Sequence, residues 1–436
     1  MKVDLVIQAR WIIPVEPESV TYENHALVIN AGKIVDLLPA NIVQQKYQPL
    51  KFEQLDSHAL LPGLINSHTH ASMSLMRGIA DDLPLMDWLQ NHIWPLEQKW
   101  VGEAFVRDGT DLAIAEMIRG GTTCFNDMYF FPEITADQAI KYGMRASIGL
   151  IVIDFPSAWA EHSEAYLKKG VALHKQLCHE SLITTVFSPH APYTVSDEPL
   201  IKIRALAKEL DAPIHMHLHE TLHEVEEQKN KTNQTPLQRL HQLDLLSPSF
   251  MAVHMTQLSD LEIDLVAETG THIIHCPESN LKLASGFCPI TQCLEKGINV
   301  ALGTDGAASN NDLDMLGEMR TAALLAKGVS NDASAVPAMT ALKMATINGA
   351  KALGIEQKTG SLSIGKAADI IAIDFDQLET QPLFDPISQI VYAAGRHQVS
   401  DVWVEGKQLL KNRNLTTIDS ENLKLRVAEW QDRLKK

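Results

Sequence analysis

Several short segments of this 436-residue chain end in side chains that can bind a metal ion or transfer a proton. They are His68-Thr69-His70, His217-Leu218-His219-Glu220, His254 and Asp305. Each segment closes a short apolar or β-branched run, which is typical of a β-strand. Imidazole and carboxylate ligands suit zinc, with iron(II) as the alternative. The segments therefore predict one metal ion with a water-activating carboxylate beside it. Such a site is typical of a hydrolase.

Four of these side chains are the predicted metal ligands: His68, His70, His217 and Asp305. His68 and His70 are two residues apart, so both imidazoles face the same side of a strand. That spacing alone is a weak indication, because 18 histidines in one chain give roughly one such pair by chance. We prefer His217 in the second segment because Glu220, three residues on, can then reach a coordinated water without being a ligand.

We expect structural roles for two further histidines of these segments and catalytic roles for three other residues. We expect His215 and His219 to be packed or hydrogen-bonded histidines. Glu220, His254 and Asp305 are the predicted catalytic residues: Glu220 moves the first proton, His254 orients the attacking water and Asp305 helps with the second proton. A lone histidine in an apolar strand is more often structural, and an aspartate before glycine is often a helix cap. The coincidence of all these features at strand ends favours a common site.

Strand and helix signals alternate between residues 58 and 355. The eight predicted strands are Leu60–Asn66, Thr122–Met128, Ala146–Ile151, Thr184–Ser188, Pro213–Leu218, Met251–Met255, Thr271–Cys276 and Asn299–Gly303. Eight strand–helix units predict an α/β fold of the (β/α)8 TIM-barrel type. In such a barrel the chemistry lies at the carboxyl ends of the strands, which is where the candidate ligands fall.

Both ends of the chain carry further strand signals, such as Val3–Gln8 and Asp369–Asp374. We therefore predict a small β-sandwich domain built from residues 1–57 and 360–436, with a helix at its carboxyl end. The barrel domain would comprise residues 58–359.

Composition narrows the class of protein. Hydrophobic residues at 45% and charged residues at 21% are typical of a globular chain. The net charge of −17 argues against a nucleic-acid-binding surface. Five cysteines without zinc-ribbon spacing indicate free thiols in a reducing compartment. The chain has no signal-peptide pattern and no apolar run long enough for a membrane span, so we expect a cytoplasmic protein without membrane association.

The motifs resemble those of the amidohydrolase superfamily over nearly the whole chain. The segments Pro62-Gly63-Leu64-Ile65-Asn66-Ser67-His68-Thr69-His70 and Gly365-Lys366-Ala367-Ala368-Asp369 carry this resemblance. Many members bridge two metals with a carbamylated lysine on the fourth strand, but the matching segment, Thr184–His190, has no lysine. The resemblance therefore implies one Zn2+ per chain, with Fe2+ as the alternative. It also implies a homo-oligomer, a dimer or a tetramer.

Within the superfamily, the chain is most similar to the branch that deaminates 5′-methylthioadenosine and S-adenosylhomocysteine. The matching segments are Trp94–Glu97, Gly143–Ala146, Ser188–His190, His217–Thr221 and Thr304–Asn311. The resemblance implies a small-molecule nucleoside substrate and a hydrolytic deamination that releases ammonia.

The same resemblance implies the substrate contacts. Glu97 would bind the ribose hydroxyls, and Arg145, His190, Glu220 and Ser309 would line the pocket. From the residues alone, Glu97 could equally be a solvated helix residue, Arg145 a strand-end ion pair and Ser309 a turn residue. Some members carry a second arginine after the third strand that meets the homocysteine carboxylate. The matching residues here, 154–157, include none, which favours methylthioadenosine or adenosine.

Two other functions remain open at this point. The first is a deaminase or chlorohydrolase of a free purine base or a triazine, which would need no ribose contact. The second is a non-catalytic barrel that serves as a binding module. Such relatives usually lose ligands, whereas every ligand position is filled in this chain.

Overall fold

The computed structural model describes the whole chain, Met1–Lys436, and contains two eight-stranded sheets. The strands are β1 (Lys2–Ile12), β2 (Tyr22–Asn30), β3 (Lys33–Pro39), β4 (Gln48–Pro62), β5 (Leu64–Thr69), β6 (Thr122–Asp127), β7 (Arg145–Val152), β8 (Ile183–Pro189), β9 (Ile214–Leu218), β10 (Phe250–His254), β11 (His272–His275), β12 (Val300–Leu302), β13 (Ile370–Asp374), β14 (Val399–Val404), β15 (Lys407–Lys411) and β16 (Asn414–Leu415).

The helices follow the strands in alternation through the middle of the chain. They are α1 (Ala40–Lys46), α2 (Leu85–Trp88), α3 (Trp94–Trp100), α4 (Glu103–Arg119), α5 (Pro132–Tyr142), α6 (Ser163–Leu177), α7 (Asp197–Leu210), α8 (Leu222–Thr232), α9 (Pro236–Gln242), α10 (Asp260–Thr269), α11 (Pro277–Lys282), α12 (Ile290–Glu295), α13 (Ala307–Asn310), α14 (Met315–Ser330), α15 (Ala338–Met344), α16 (Ile347–Ala352), α17 (Pro386–Tyr392) and α18 (Ser420–Leu434). None of them has the length and apolar character that a membrane span requires.

Strands β5 to β12 form the predicted barrel. They are parallel and hydrogen-bonded in chain order, and each of the eight overlaps a strand predicted from the sequence. The first prediction, Leu60–Asn66, begins too early, because residues 60–62 belong to β4 and the barrel strand starts at Leu64. The last strand returns to the first, where the Asp305 N–H donates to the His68 carbonyl over 3.0 Å. Gly303 permits this approach, because a Cβ there would lie 2.7 Å from the His68 nitrogen. The (β/α)8 fold class is confirmed.

The second sheet combines both ends of the chain, as the sequence predicts. Its strand order is β16-β15-β14-β13-β4-β1-β2-β3, with β1 and β4 parallel and the other neighbours antiparallel. Alternate residues of β1 enter different apolar clusters, so that Leu5 and Ile7 pack in one and Val6 in another. Strand β4 continues past residue 57 to Pro62 and leads almost directly into β5.

The helix predicted at the carboxyl end of the chain is present as α18. Arg426 pairs with Asp108 and Asp111 on α4, and the Trp430 indole N–H donates to Asp108 over 2.8 Å. Trp430 also packs edge-on against Phe105, with ring centroids 5.4 Å apart. The helix thereby covers α4, whose other face packs on the barrel core.

Candidate metal and catalytic site

Four side chains converge at the carboxyl end of the barrel: His68, His70, His217 and Asp305. Their ligand atoms all lie within 4.8 Å of one another. The Nε2 atoms of His68 and His70 lie 3.3 and 3.2 Å from Asp305 Oδ1, and His217 Nε2 lies 3.1 Å from His68 Nε2. A tetrahedral zinc ion with bonds of ~2.0–2.1 Å holds its ligands about 3.3 Å apart. The donor set and its spacing therefore fit a divalent metal ion.

The other ring nitrogens of these histidines are held by fixed partners. His70 Nδ1 bonds to the Met128 carbonyl over 2.6 Å, and His217 Nδ1 bonds to the His190 carbonyl over 2.8 Å. A carbonyl accepts only, so each Nδ1 carries the hydrogen and each Nε2 turns its lone pair to the centre. Burial lowers the pKa of His217 well below its ordinary value, which keeps the ring neutral and able to bind a metal.

The two histidines that flank His217 have structural roles. His215 Nε2 lies 3.0 Å from His68 Nδ1, so His215 orients His68 and does not belong to the four-residue cluster. His219 donates from Nδ1 to the Gln257 carbonyl over 2.6 Å and accepts the Leu237 N–H at Nε2 over 3.1 Å. The expectation of hydrogen-bonded histidines at both positions is confirmed.

Glu220 follows the end of β9 and faces the same pocket as the ligands. Its side chain is buried, and its Oε2 lies 3.9 Å from His254 Nε2. Burial, together with the negative charge of Asp305, raises the pKa of Glu220 to about 8. A carboxyl group whose pKa lies near the working pH can both accept and return a proton.

Two residues of a short helix after the seventh barrel strand form hydrogen bonds with the candidate residues His254 and Asp305. On α11, Asn280 Oδ1 lies 2.9 Å from His254 Nδ1, so His254 presents Nε2 to the pocket. The Ser279 hydroxyl donates to Asp305 Oδ2 over 2.7 Å. Sequence reasoning missed both residues, although they follow the predicted strand Thr271–Cys276 as polar residues at its carboxyl end.

Ser309 belongs to the same network. Its hydroxyl donates to Asp305 Oδ2 over 2.9 Å, and the residue borders the pocket. One oxygen of Asp305 is therefore held by serine hydroxyls while the other faces His68 and His70. This division fixes the carboxylate in an orientation suited to a single metal contact.

The four-residue cluster opens into a cavity that His70, His217 and Asp305 border. Glu97 lies on its wall and accepts the Tyr129 hydroxyl over 2.6 Å, and burial raises the pKa of Glu97 to about 7. His190 also borders the cavity, and burial lowers its pKa to about 3, so the ring is neutral. The rest of the wall is mostly apolar, and no lysine or arginine borders it.

Arg145 lies outside this cavity, and the prediction that it contacts the substrate is wrong. It is the first residue of β7, whereas the cavity meets this strand at its other end, around Ile151 and Ile153. Its guanidinium is buried against Asp369, with Glu405 as a second partner at 3.2 Å. Arg145 therefore forms an ion pair at the end of a strand, which is the alternative that its sequence context left open.

A parallel eight-stranded barrel with imidazole and carboxylate ligands at its carboxyl end defines the class of metal-dependent barrel enzymes. A model of the amidohydrolase family matches residues 59–409 of this chain. A 5-methylthioadenosine/S-adenosylhomocysteine deaminase of Saccharophagus degradans is 50% identical over 428 residues, 98% of this chain and 96% of the relative. The chain belongs to the amidohydrolase family.

Two further relatives are similar over nearly their whole length. A 5′-deoxyadenosine deaminase of Methanosarcina mazei is 40% identical, with 96% of each chain covered. The crystal structure of an adenosine deaminase from Xanthomonas campestris with bound zinc superimposes with a TM-score of 0.99 at 50% identity. That alignment covers 100% of this chain and 99% of the other.

Proposed function

We propose that this protein hydrolyses the C6 amino group of an adenine nucleoside, giving the hypoxanthine nucleoside and ammonia. One observation carries the proposal: a buried carboxyl group of raised pKa, Glu220, faces the four-ligand cluster in a pocket that also holds Glu97. A nucleoside placed with its base at the ligands would extend its ribose toward Glu97. The names of the relatives support the same substrate class.

The metal would be one zinc ion per chain held by His68, His70, His217 and Asp305, with iron(II) as the alternative. When bound, the ion lowers the pKa of a water molecule enough for attack at neutral pH. Glu220 removes a proton from the attacking water and gives it to N1 of the purine ring. The water oxygen forms the new bond to C6, and the C6–N bond breaks as ammonia leaves.

Two neighbours of Glu220 complete the proposed chemistry. His254 presents Nε2 toward the attacking water and orients it by accepting a hydrogen bond, because Asn280 Oδ1 accepts the hydrogen of the other ring nitrogen. Asp305 assists the transfer of the second proton to the leaving amine. Glu97 would accept hydrogen bonds from the ribose hydroxyls, while His190 and Ser309 would contact the base or ribose.

The cavity wall favours nucleosides with an uncharged 5′ group. Trp88, Trp94, Ile153 and Phe155 border the cavity, and no cation accompanies them. The homocysteine carboxylate of S-adenosylhomocysteine would lie against this apolar wall without a cationic side chain to pair with. Its desolvation would cost free energy, whereas an uncharged methylthio group avoids this cost. We therefore propose methylthioadenosine, 5′-deoxyadenosine or adenosine as better substrates than S-adenosylhomocysteine.

A spectrophotometric assay with zinc-loaded protein tests the proposal. The substrates are methylthioadenosine, 5′-deoxyadenosine, adenosine, S-adenosylhomocysteine, adenine, guanine and a chlorotriazine. We expect the first three to be deaminated with kcat/KM above that of S-adenosylhomocysteine, and the free bases and the triazine to be inert. Faster turnover of a base or of the triazine would favour the free-base and triazine alternative, and a protein that binds zinc without any turnover would favour the binding module.

Three further expectations belong with this proposal. We propose a barrel domain of residues 58–359 and a smaller domain of residues 1–57 with 360–436. We also propose a cytoplasmic homo-oligomer, a dimer or a tetramer. Light scattering after size-exclusion chromatography measures the oligomer, and cell fractionation tests the location.

A further inference from the structure

Glu224 is a buried carboxylate beside the proposed proton-transfer group. It lies in the first turn of α8 and is 8% exposed. Its Oε1 accepts the His219 N–H over 3.0 Å, and its Oε2 accepts the Glu220 N–H over 2.8 Å. The two consecutive N–H groups at the turn between β9 and α8 therefore bind one carboxylate.

This arrangement differs from the start of the next two helices. In α9 and α10 the third helical residue, Gln238 or Glu262, accepts the N–H of the residue just before the helix, each over 3.0 Å. In α8 the third residue is Glu224, and its side chain passes the residue before the helix to reach Glu220 and His219. The carboxylate therefore holds the turn that carries Glu220 instead of closing an ordinary capping box.

The same turn is held from the neighbouring loop. The Thr256 hydroxyl donates to the Glu220 carbonyl over 2.7 Å, and the Thr256 N–H donates to the His219 carbonyl over 3.0 Å. His219 has a φ of +51°, in the left-handed region that is unfavourable for a residue with a Cβ. Such a conformation persists where surrounding contacts enforce it. Glu224 and Thr256 together fix both backbone polar groups of Glu220.

We propose that Glu224 is a positioning residue, which aims the Glu220 carboxylate at the attacking water by holding the Glu220 backbone. The inference rests on the proposed function of Glu220. Glu224 touches neither the reacting atoms nor the proposed metal ligands, so we expect it to act on catalysis through Glu220. Misplacement of a catalytic group by about 1 Å can cost about 10²-fold in rate.

The test compares four zinc-loaded variants with the wild type: Glu224→Ala, Glu224→Gln, Thr256→Val and the matched control Gln238→Ala. We measure kcat, KM for methylthioadenosine, zinc content and the unfolding temperature. Glu224→Ala should lower kcat about 10- to 100-fold, with KM and zinc content within twofold of the wild type. Glu224→Gln keeps one acceptor and should lose less. Gln238→Ala removes the corresponding side chain from α9 and should keep the wild-type kcat.

The decisive comparison uses the Glu220→Gln background. If Glu224 acts only through Glu220, then Glu224→Ala should lower kcat no further once Glu220 is replaced. A wild-type kcat in Glu224→Ala, or fully additive losses in the double variant, would overturn the inference. If Glu224→Ala does not fold, the same comparison of kcat with and without Glu220→Gln is made with Glu224→Gln and Thr256→Val. A wild-type enzyme inactive on every nucleoside would overturn the proposed function, whereas an active enzyme with an unimpaired Glu224→Ala overturns this inference alone.

Discussion

The guanidinium of Arg145 lies against the carboxylate of Asp369, with 2.9 Å between Nε and Oδ2. Their side chains are 4% and 0% exposed. Arg145 begins the barrel strand β7 and Asp369 immediately precedes β13 of the second sheet, so the pair joins the two sheets. Asp369 also accepts the Glu405 N–H over 2.8 Å. The Gly365–Asp369 motif thus ends in a residue that connects the small sheet to the barrel.

Replacement of Arg145 by methionine should destabilise the protein without weakening substrate binding. The change leaves the Asp369 carboxylate buried without its cation, and breaking a buried pair costs about 3–5 kcal/mol. Urea unfolding measures the loss, and KM for methylthioadenosine should stay within twofold. Lys202→Met, which removes an exposed pair with Glu198, is the control and should change the unfolding midpoint little. A raised KM with unchanged stability would contradict this account.

Replacement of Glu220 by glutamine should abolish most turnover and keep the metal. An amide cannot take the proton of the attacking water, and general acid–base catalysis is typically worth about 10²- to 10⁴-fold. Steady-state kinetics and zinc analysis on the same sample measure both quantities. Turnover close to the wild-type rate would show that another group moves the proton.

Replacement of His217 by alanine should remove zinc and activity together. Loss of a partner outside the ligand set typically costs about 10- to 100-fold in metal affinity, and loss of a direct ligand should exceed that. Zinc analysis after dialysis measures the loss. His223→Ala, an exposed histidine six residues further on, should retain full zinc content. Full zinc in His217→Ala would mean that a different histidine is the ligand.

Replacement of Glu97 by glutamine should raise KM for nucleosides and leave the inhibition constant of free adenine unchanged. A hydrogen bond to a charged acceptor contributes about 1.5–3 kcal/mol, which corresponds to roughly 10- to 100-fold in KM. The KM for adenosine, compared with the inhibition constant of adenine, measures the ribose contribution. Glu103→Gln, at an exposed position on the next helix, is the control. An equal KM in wild type and Glu97→Gln would remove Glu97 from the substrate contacts.

His275 should make the protein sensitive to mild acid. It is buried at the end of β11 without a hydrogen-bond partner on either ring nitrogen, and burial lowers its pKa to about 3. The unfolded chain takes up this proton below about pH 6.5. The stability that neutral His275 contributes is therefore complete above pH 6.5 and is lost as the pH falls toward 3.

The variant His275→Leu isolates this contribution. Between pH 7.5 and 5.5, the free energy of unfolding should fall by about 1.4 kcal/mol more for the wild type than for His275→Leu. Urea unfolding at the two pH values and one zinc concentration gives the difference. Identical pH dependence in both proteins would mean that His275 is solvated or partnered in the folded state.

The sequence alone determined the barrel strands and the residues at their ends. A strand is visible as a local apolar run, and side chains two residues apart face one side, so His68 and His70 could be paired without coordinates. The choice of His217 over its neighbours followed from the position of Glu220, and the structure brings His217 to the same centre. The positions of these residues could be predicted because each prediction depended on a few consecutive residues.

Only the tertiary structure decided which residues support the site. Asn280 holds His254, Ser279 holds Asp305 and Glu224 holds the backbone of Glu220. The first two bonds join residues 26 positions apart, and local periodicity carries no information about such distances. Arg145 illustrates the opposite case, because a motif match suggested the pocket whereas its place at the start of β7 assigns it to the Asp369 ion pair. The partners of such residues follow from closure of the barrel and from packing of the two sheets, which bring residues distant in sequence together.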